Sequence, residues 1–260
     1  MGRDEISQSE KVFRELLSSQ EISSKHRNYI ESKRKEVENR IRDKIDGPLE
    51  FYYGGSYSRE TMIRDYSDIN LVVYYPKETE KSITDIHSEV GDVITSKWRN
   101  ATLKTLGWEI RYKTNLHIDV IPAKPIDLEF GFAKHYNTNR REPIEYSLKA
   151  FDEDIKEKKR TNILKLMRLW KTRCEVPLQG FFLEKFVTLA TRGAPRNELE
   201  TQVFRSFSYL EDKITTKRII GVMNKSYVLS NAIRAKQIKG VKNAIEEVRN
   251  AKDWEDAFNN

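Results

Sequence analysis

Along the chain the spacing of apolar positions changes from helical to alternating and back, and the changes mark its parts. In residues 5–45 apolar residues recur at helical spacing, with Val12, Leu16 and Leu17 in a first stretch. Tyr29, Ile30, Val37, Ile41 and Ile45 form the stripe of a second. Ser23-Ser24 is placed to cap that second helix and Gly47-Pro48 to end it. Residues 49–53 and 69–75 then read as strands, rich in aromatic and β-branched residues, and Pro76 stops the second. Helical spacing returns over 83–100, with Ile83, Ile86, Val90, Val93, Ile94 and Trp98 turned inward. Two more strands are predicted at 106–112 and 116–121, joined by Lys113-Thr114-Asn115. Strict alternation in the second puts His117 and Asp119 on the face opposite Ile118 and Val120.

Pro122, Pro125 and Pro143 bracket a stretch read as loop-rich, including the polar run at 137–142. Beyond a boundary at 145–152 the pattern is nearly all helical. Ile155, Ile163, Leu166, Met167 and Trp170 make one stripe that ends before Pro177. Further helices are predicted at about 180–191, 197–213, 226–238 and 240–258. The fold class expected is α+β. A mixed-sheet lobe with helices spans 1–148, a helical lobe spans 149–260, and the site lies in the cleft between.

Composition narrows the function. With 38% hydrophobic and 33% charged residues over 260 positions, the chain reads as globular, without the apolar run a membrane span needs. The polar N-terminus lacks a leader's apolar region, and Ile6 stands where a myristoylation motif wants Ser or Thr. The single cysteine, Cys174, rules out an intrachain disulfide or a cysteine-built zinc site. A cytoplasmic location is the expectation. The net charge of +7 suits an anionic partner, such as nucleotides or RNA, but equally a merely soluble surface. Lys33-Arg34-Lys35 and residues 156–160 are basic runs on helices, while Arg140-Arg141 in a loop is the stronger anion-contact candidate. His26, His87, His117 and His135 show no metal-ligand spacing.

The densest chemistry lies in FYYGGSYSRETMIRDYSDINLVVYY, residues 51–75. Gly54, Gly55 and Ser56 make a turn whose amides can approach phosphates. Asp68 and position 70 share a strand face, and Asp119 supplies a third oxygen ligand from a neighbouring strand. Converging hard-oxygen ligands suit Mg²⁺, and nucleotidyl transfer needs charge management and alignment more than covalent chemistry.

In this order the stretch resembles the signature of the polymerase-β-like nucleotidyltransferase superfamily. The nearer resemblance is to the branch of oligoadenylate synthetases, cyclic GMP-AMP synthase and the bacterial cyclic-oligonucleotide synthases (CD-NTases), which includes antiviral signalling enzymes. It rests on SYSRETMIRDYSDINLVVYY, on LHIDVIPA at 116–123, and on NILKLMRLWK at 162–171 followed by GFFLE at 180–184. The resemblance implies a template-independent transferase that uses ATP, GTP or both to make cyclic or linear oligonucleotides. It implies two Mg²⁺ ions, with Mn²⁺ as an alternative, held by Asp68, Asn70 and Asp119. Gly55 and Ser56 would bind the β/γ-phosphates, Lys165 with Arg168 would reach the triphosphate, and Phe181 would stack on the base. For Lys165 a solvated helix lysine, and for Phe181 a core aromatic, are the competing readings. An RNA- or tRNA-tailing enzyme and a silent nucleotide- or RNA-binding module are the competing functions.

Asn70 stands where the family has Asp. Its amide oxygen can coordinate a metal but adds no charge. One such charge near a divalent ion is worth several kcal/mol even at an effective dielectric of about 20. A substitution introduced to trap substrate, a natural pseudoenzyme and a weak one-metal site all fit. The intact remainder of the constellation favours an isolated or introduced change in a competent scaffold.

Overall fold

The computed structural model describes residues 7–219 and 233–259. Two helices lead: α1 (Gln8–Ser19) and α2 (Ser24–Arg42). Ser23 caps α2, its hydroxyl accepting from the His26 amide at 3.2 Å. Then come β1 (Glu50–Gly54), a one-turn helix α3 (Ser56–Arg59), β2 (Ser67–Tyr74), α4 (Ile83–Lys97), β3 (Thr102–Leu103), β4 (Trp108–Arg111) and β5 (Leu116–Asp127). The strands β6 (Phe132–Asn137) and β7 (Glu142–Ser147) close the sheet region. Helices follow: α5 (Leu148–Glu157), α6 (Thr161–Arg173), α7 (Gly180–Ala190), α8 (Leu199–Lys213), α9 (Ala235–Asn250) and α10 (Trp254–Ala257). The architecture is α+β, as the sequence pattern predicts.

The sheet runs β1-β2-β5-β4-β3, with β6 and β7 continuing from the far end of β5. β2 and β5 are parallel and central, so one face of each must be apolar in full. Ile69, Leu71, Ile118 and Val120 are all inaccessible to solvent. They pack with Val37 and Ile41 of α2 and with Ile86, Val90 and Ile94 of α4. Every residue expected on the inward face of α4 is buried.

Three expectations need correction. Residues 132–137 and 142–147 are paired strands, not loop, in full antiparallel register from Phe132–Ser147 to Asn137–Glu142. The prolines are tolerated because of where they sit. Pro122 and Pro125 lie in β5 beyond Val120, the last residue paired to β4, and Pro143 lies in β7, the outermost strand. The helical stripe after 150 is broken in two, with Lys159 at φ 51° between α5 and α6. On α1 the buried residues are Glu10, Phe13 and Leu16, with Val12 and Leu17 only partly covered.

α1 packs on the helical half. Phe13 lies 5.0 Å from Trp254 and 5.9 Å from Phe258, ring centre to ring centre, and joins the core of Trp170, Phe182 and Phe186. Full burial of one such side chain contributes about 2–3 kcal/mol. In space, therefore, Gln8–Ser19 belongs with the helices rather than with the sheet that follows it. The helix expected at 226–238 lies largely outside the described residues, and the segment 240–258 is covered by α9 and α10.

Candidate functional site

Strand register assembles the site. β2 pairs with β5 so that Asp68 is level with His117 and Asn70 with Asp119. β4 pairs on the other side of β5, placing Glu109 opposite Asp119 and Arg111 opposite His117. Asn70, Asp119 and Glu109 thus form one row across three adjacent strands, with Asp68 two residues before Asn70 on the same face. This face opens into a cavity of about 1020 Å³, with Arg168 and Lys171 of α6 and Phe181 of α7 on its helical wall.

The three carboxyls of this face are in different states. Asp119 has one oxygen, Oδ1, buried without a hydrogen-bond partner. Burial, then the charges of Glu109 and Asp68, push its pKa up to about 7. Glu109 moves the other way. Burial opposes its charge, but His117, Arg111 and Lys104 outweigh that and bring it down to about 2. Its Oε2 is 3.3 Å from His117 Nδ1, and its Oε1 is 2.5 Å from Arg111 Nε and 3.2 Å from Lys104 Nζ. Asp68 is held below the ordinary carboxylate range despite burial, because Arg168 and the Ser56 hydroxyl bind its charged form. Ser56 Oγ donates to Asp68 Oδ1 at 2.7 Å, and Arg168 Nη2 pairs with the same oxygen.

The glycine turn lies directly behind these groups. Gly55 has φ +77°, and a Cβ there would sit 3.1 Å from Asn70 Nδ2 and 3.2 Å from Asp68 Oδ2. A side chain at Gly54 would come within 2.7 Å of Asp152. Glycine is required at 55 by backbone conformation and at 54 by contact. Asp152 of α5 anchors the turn. Its Oδ2 accepts from the Gly55 amide at 2.9 Å, the Tyr52 hydroxyl at 2.9 Å and the Ser58 hydroxyl at 2.8 Å. Its Oδ1 pairs with Arg59. Arg59 Nε lies 2.7 Å from Glu184 Oε2, and Glu184 Oε1 lies 3.0 Å from Arg168 Nη1. A buried chain of alternating charge, Asp152–Arg59–Glu184–Arg168–Asp68, therefore links both walls of the cavity.

The structure brings together Gly55, Ser56, Asp68, Asn70, Asp119, Arg168 and Phe181. Ser56 itself is fully buried beneath Asp68. Lys165 is not among the residues lining the cavity; Lys171, further along α6, lines it instead, its pKa lowered by burial and by Arg168. Phe181 lines the cavity beside Phe151, with ring centres 5.8 Å apart and nearly perpendicular. Sequence reasoning missed Glu109, Asp152, Arg59 and Glu184. Glu109 carried a signal, an acid between Trp108 and Ile110 inside a predicted strand. Arg140 also lines the cavity. On α2, Lys33 pairs with Glu36 and Arg34 with Glu31, which neutralises two members of that basic run locally.

Among the described residues no three His, Cys, Asp or Glu side chains already stand as a metal cluster. The donors nonetheless fit a hard divalent cation in kind: Asp68, Asp119 and the Asn70 amide oxygen share one face, and the buried Asp119 Oδ1 has no protein partner. Nor is any described helix long and apolar enough to cross a membrane.

Comparison with known proteins bears on the fold that carries this site. Residues 34–150 match the family model of the nucleotidyltransferase domain. CdnG from Bradyrhizobium diazoefficiens, a CD-NTase solved with GTP, superposes with a TM-score of 0.78 at 11% identity, covering 97% of this chain and 96% of that one. CdnC from E. coli MS115-1, solved with ATP, gives 0.70 at 15% identity and 97% of both chains. The Vibrio cholerae cyclic AMP-GMP synthase DncV, solved with a linear intermediate, gives 0.70 at 11% identity over 93% of this chain and 90% of that one. No curated protein matches the chain by sequence. Residues 34–150 are thus similar to the nucleotidyltransferase domain, and the chain shares the fold of these solved structures over 93–97% of its length.

Proposed function

We propose, from that premise, that the protein is a template-independent nucleotidyltransferase that joins nucleoside triphosphates into a cyclic or linear oligonucleotide. The observation that carries this reading is the row of oxygen ligands beside an unpartnered Asp119 oxygen, facing basic residues across a cavity of about 1020 Å³. Nucleotide complexes of CdnG and CdnC, similar over nearly their whole length, support nucleoside triphosphates as the ligands. A divalent cation, Mg²⁺ or Mn²⁺, would be held by Asp68, Asp119 and Asn70. Bound there, it would supply charge neutralisation for the attacking and leaving oxygens.

The chain's own residues divide the remaining work. Asp119, with one oxygen free of hydrogen-bond partners, is suited to accept the proton of the attacking hydroxyl, since a cation bound beside it would favour its charged, basic form. Lys171 and Arg168 offer cations to the triphosphate from the helical wall. The Gly55 turn, fixed by Asp152, stands behind Asp68, and Ser56 reaches a phosphate only by releasing Asp68. Phe181 and Phe151 present apolar surface to a base. Asn70 removes one charge from this set and slows the transfer step.

The test is incubation with α-labelled ATP and GTP and Mg²⁺, with and without RNA. Small oligonucleotides formed without RNA are expected. Label appearing only on added RNA would favour an RNA-tailing enzyme. Two observations favour a second reading, a silent nucleotide-binding module: Asn70 lacks charge, and Asp68 is already paired with Arg168. That reading requires nucleotide binding by calorimetry with no product.

A further inference from the structure

Arg168 occupies a position that the proposed chemistry cannot leave as it is. Its side chain is 6% exposed, on the helical wall, and one guanidinium nitrogen pairs with Asp68 Oδ1 on β2. The other end is held by Glu184 Oε1 at 3.0 Å. Glu184 is fully buried and is held in turn by Arg59, so it provides a fixed pivot. Asp68 Oδ1 also accepts from Ser56. One of the two Asp68 oxygens, Oδ1, is thus already taken by a guanidinium and a hydroxyl, and the Asp68 charge is already neutralised.

A guanidinium and a divalent ion on one carboxylate repel each other, whichever oxygen the ion takes. Either Arg168 moves or the ion binds weakly. A triphosphate is a better partner for a guanidinium than one carboxylate, because it offers several charged oxygens to the same planar fork. Held by Glu184, Arg168 can exchange Asp68 for a phosphate within the cavity that it lines.

Resting on the reading of the site as a nucleotidyltransferase centre, we propose that Arg168 is the built-in counter-ion of Asp68. It makes divalent-cation binding at Asp68 conditional on arrival of a triphosphate, so that cation and nucleotide load together. Arg168 is on this account a positioning residue for the acidic site and a phosphate contact afterwards.

The test is Mn²⁺ titration of the nucleotide-free full chain, followed by loss of the free-ion electron paramagnetic resonance signal. Wild type should bind Mn²⁺ weakly. Arg168→Gln, which keeps a hydrogen-bonding group for Glu184, should bind it at least tenfold more tightly. Arg168→Lys retains the charge and should stay weak. A residue with only a structural role would not make cation binding tighter when removed. Should Arg168→Gln fail to fold, Ser56→Ala reports on the same oxygen: with Arg168 in place, its Mn²⁺ affinity should remain weak, and tight binding would overturn the proposal. Unchanged or weaker Mn²⁺ binding in folded Arg168→Gln, with that binding still sensitive to Asp119→Asn, overturns the proposal and leaves the transferase reading intact. Absence of Mn²⁺ binding in every variant, with no product from labelled nucleotides, overturns both.

Discussion

Two aspartates that line the same cavity, Asp152 and Asp119, have opposite surroundings. Asp152 has both oxygens engaged, by a backbone amide, two hydroxyls and Arg59. Asp119 has an oxygen with no partner and two acidic neighbours, Glu109 and Asp68. A saturated carboxylate in a low-dielectric setting holds structure together, because every lone pair is used. An orphaned one costs stability, and a fold retains it where a ligand completes it. On the proposed reading Asp152 belongs to architecture and Asp119 to chemistry, although both are acids lining one cavity.

The contrast breaks most directly at Asp119. Asp119→Asn should lower nucleotidyl transfer about a thousandfold, equivalent to about 4 kcal/mol of transition-state stabilisation. The same change should not destabilise the fold. Burial, then the charges of Glu109 and Asp68, hold this carboxyl's pKa at about 7, above its ordinary 3.8, with Lys104 and His117 partly offsetting them. The protonated form is what the fold prefers, so this group's contribution is whole below about pH 4 and is lost as pH rises through 7. Asp119→Asn should therefore raise stability to urea by about 2 kcal/mol at pH 8, with the gain shrinking toward pH 4. A loss of stability at pH 8 would put Asp119 in the architectural class.

Asp152→Ala should behave in the opposite way. It leaves the buried Arg59 to Glu184 alone and the Gly55 amide without its acceptor, so it should cost about 2 kcal/mol or more in chemical denaturation. A cost below about 1 kcal/mol would mean that the turn holds itself. The smallest effects separate the two lysines of α6. Lys171→Ala should raise the KM for nucleotide about tenfold, the loss of one charge-assisted contact. Lys165→Ala, away from the cavity, should change it less than about twofold.

The strand pair that carries Asp68 and Asp119 was legible because period-2 alternation fixes which residues share a face, and both strands are strongly apolar on the other. Resemblance to a known motif then supplied the order. Glu109 was legible only as an acid inside a strand; its closeness to Asp119 depends on the pairing of β4 with β5, which alternation within one strand does not reveal. The Asp152–Arg59–Glu184–Arg168 chain was hidden for a similar reason. Arg59 and Asp152 are 93 residues apart, and Arg168 and Asp68 are 100 apart. Prolines misled at 122–147, because they disfavour strands in general but not at positions with an open hydrogen-bonding edge. Lys165 and Lys171 lie on one amphipathic helix, and only packing decides which of them reaches the cavity.

Asn70 occupies the place in the Asp119 row where a charge is missing, one strand to the side opposite Glu109. On the proposed reading this scaffold transfers nucleotides and Asn70 only slows it. The most direct test of that reading is the rate of product formation from labelled ATP and GTP with Mg²⁺, wild type against Asn70→Asp. Product from both proteins is predicted, with Asn70→Asp faster by about a hundredfold, as one restored charge beside a divalent ion would give. Absence of product from folded, nucleotide-binding Asn70→Asp would contradict it.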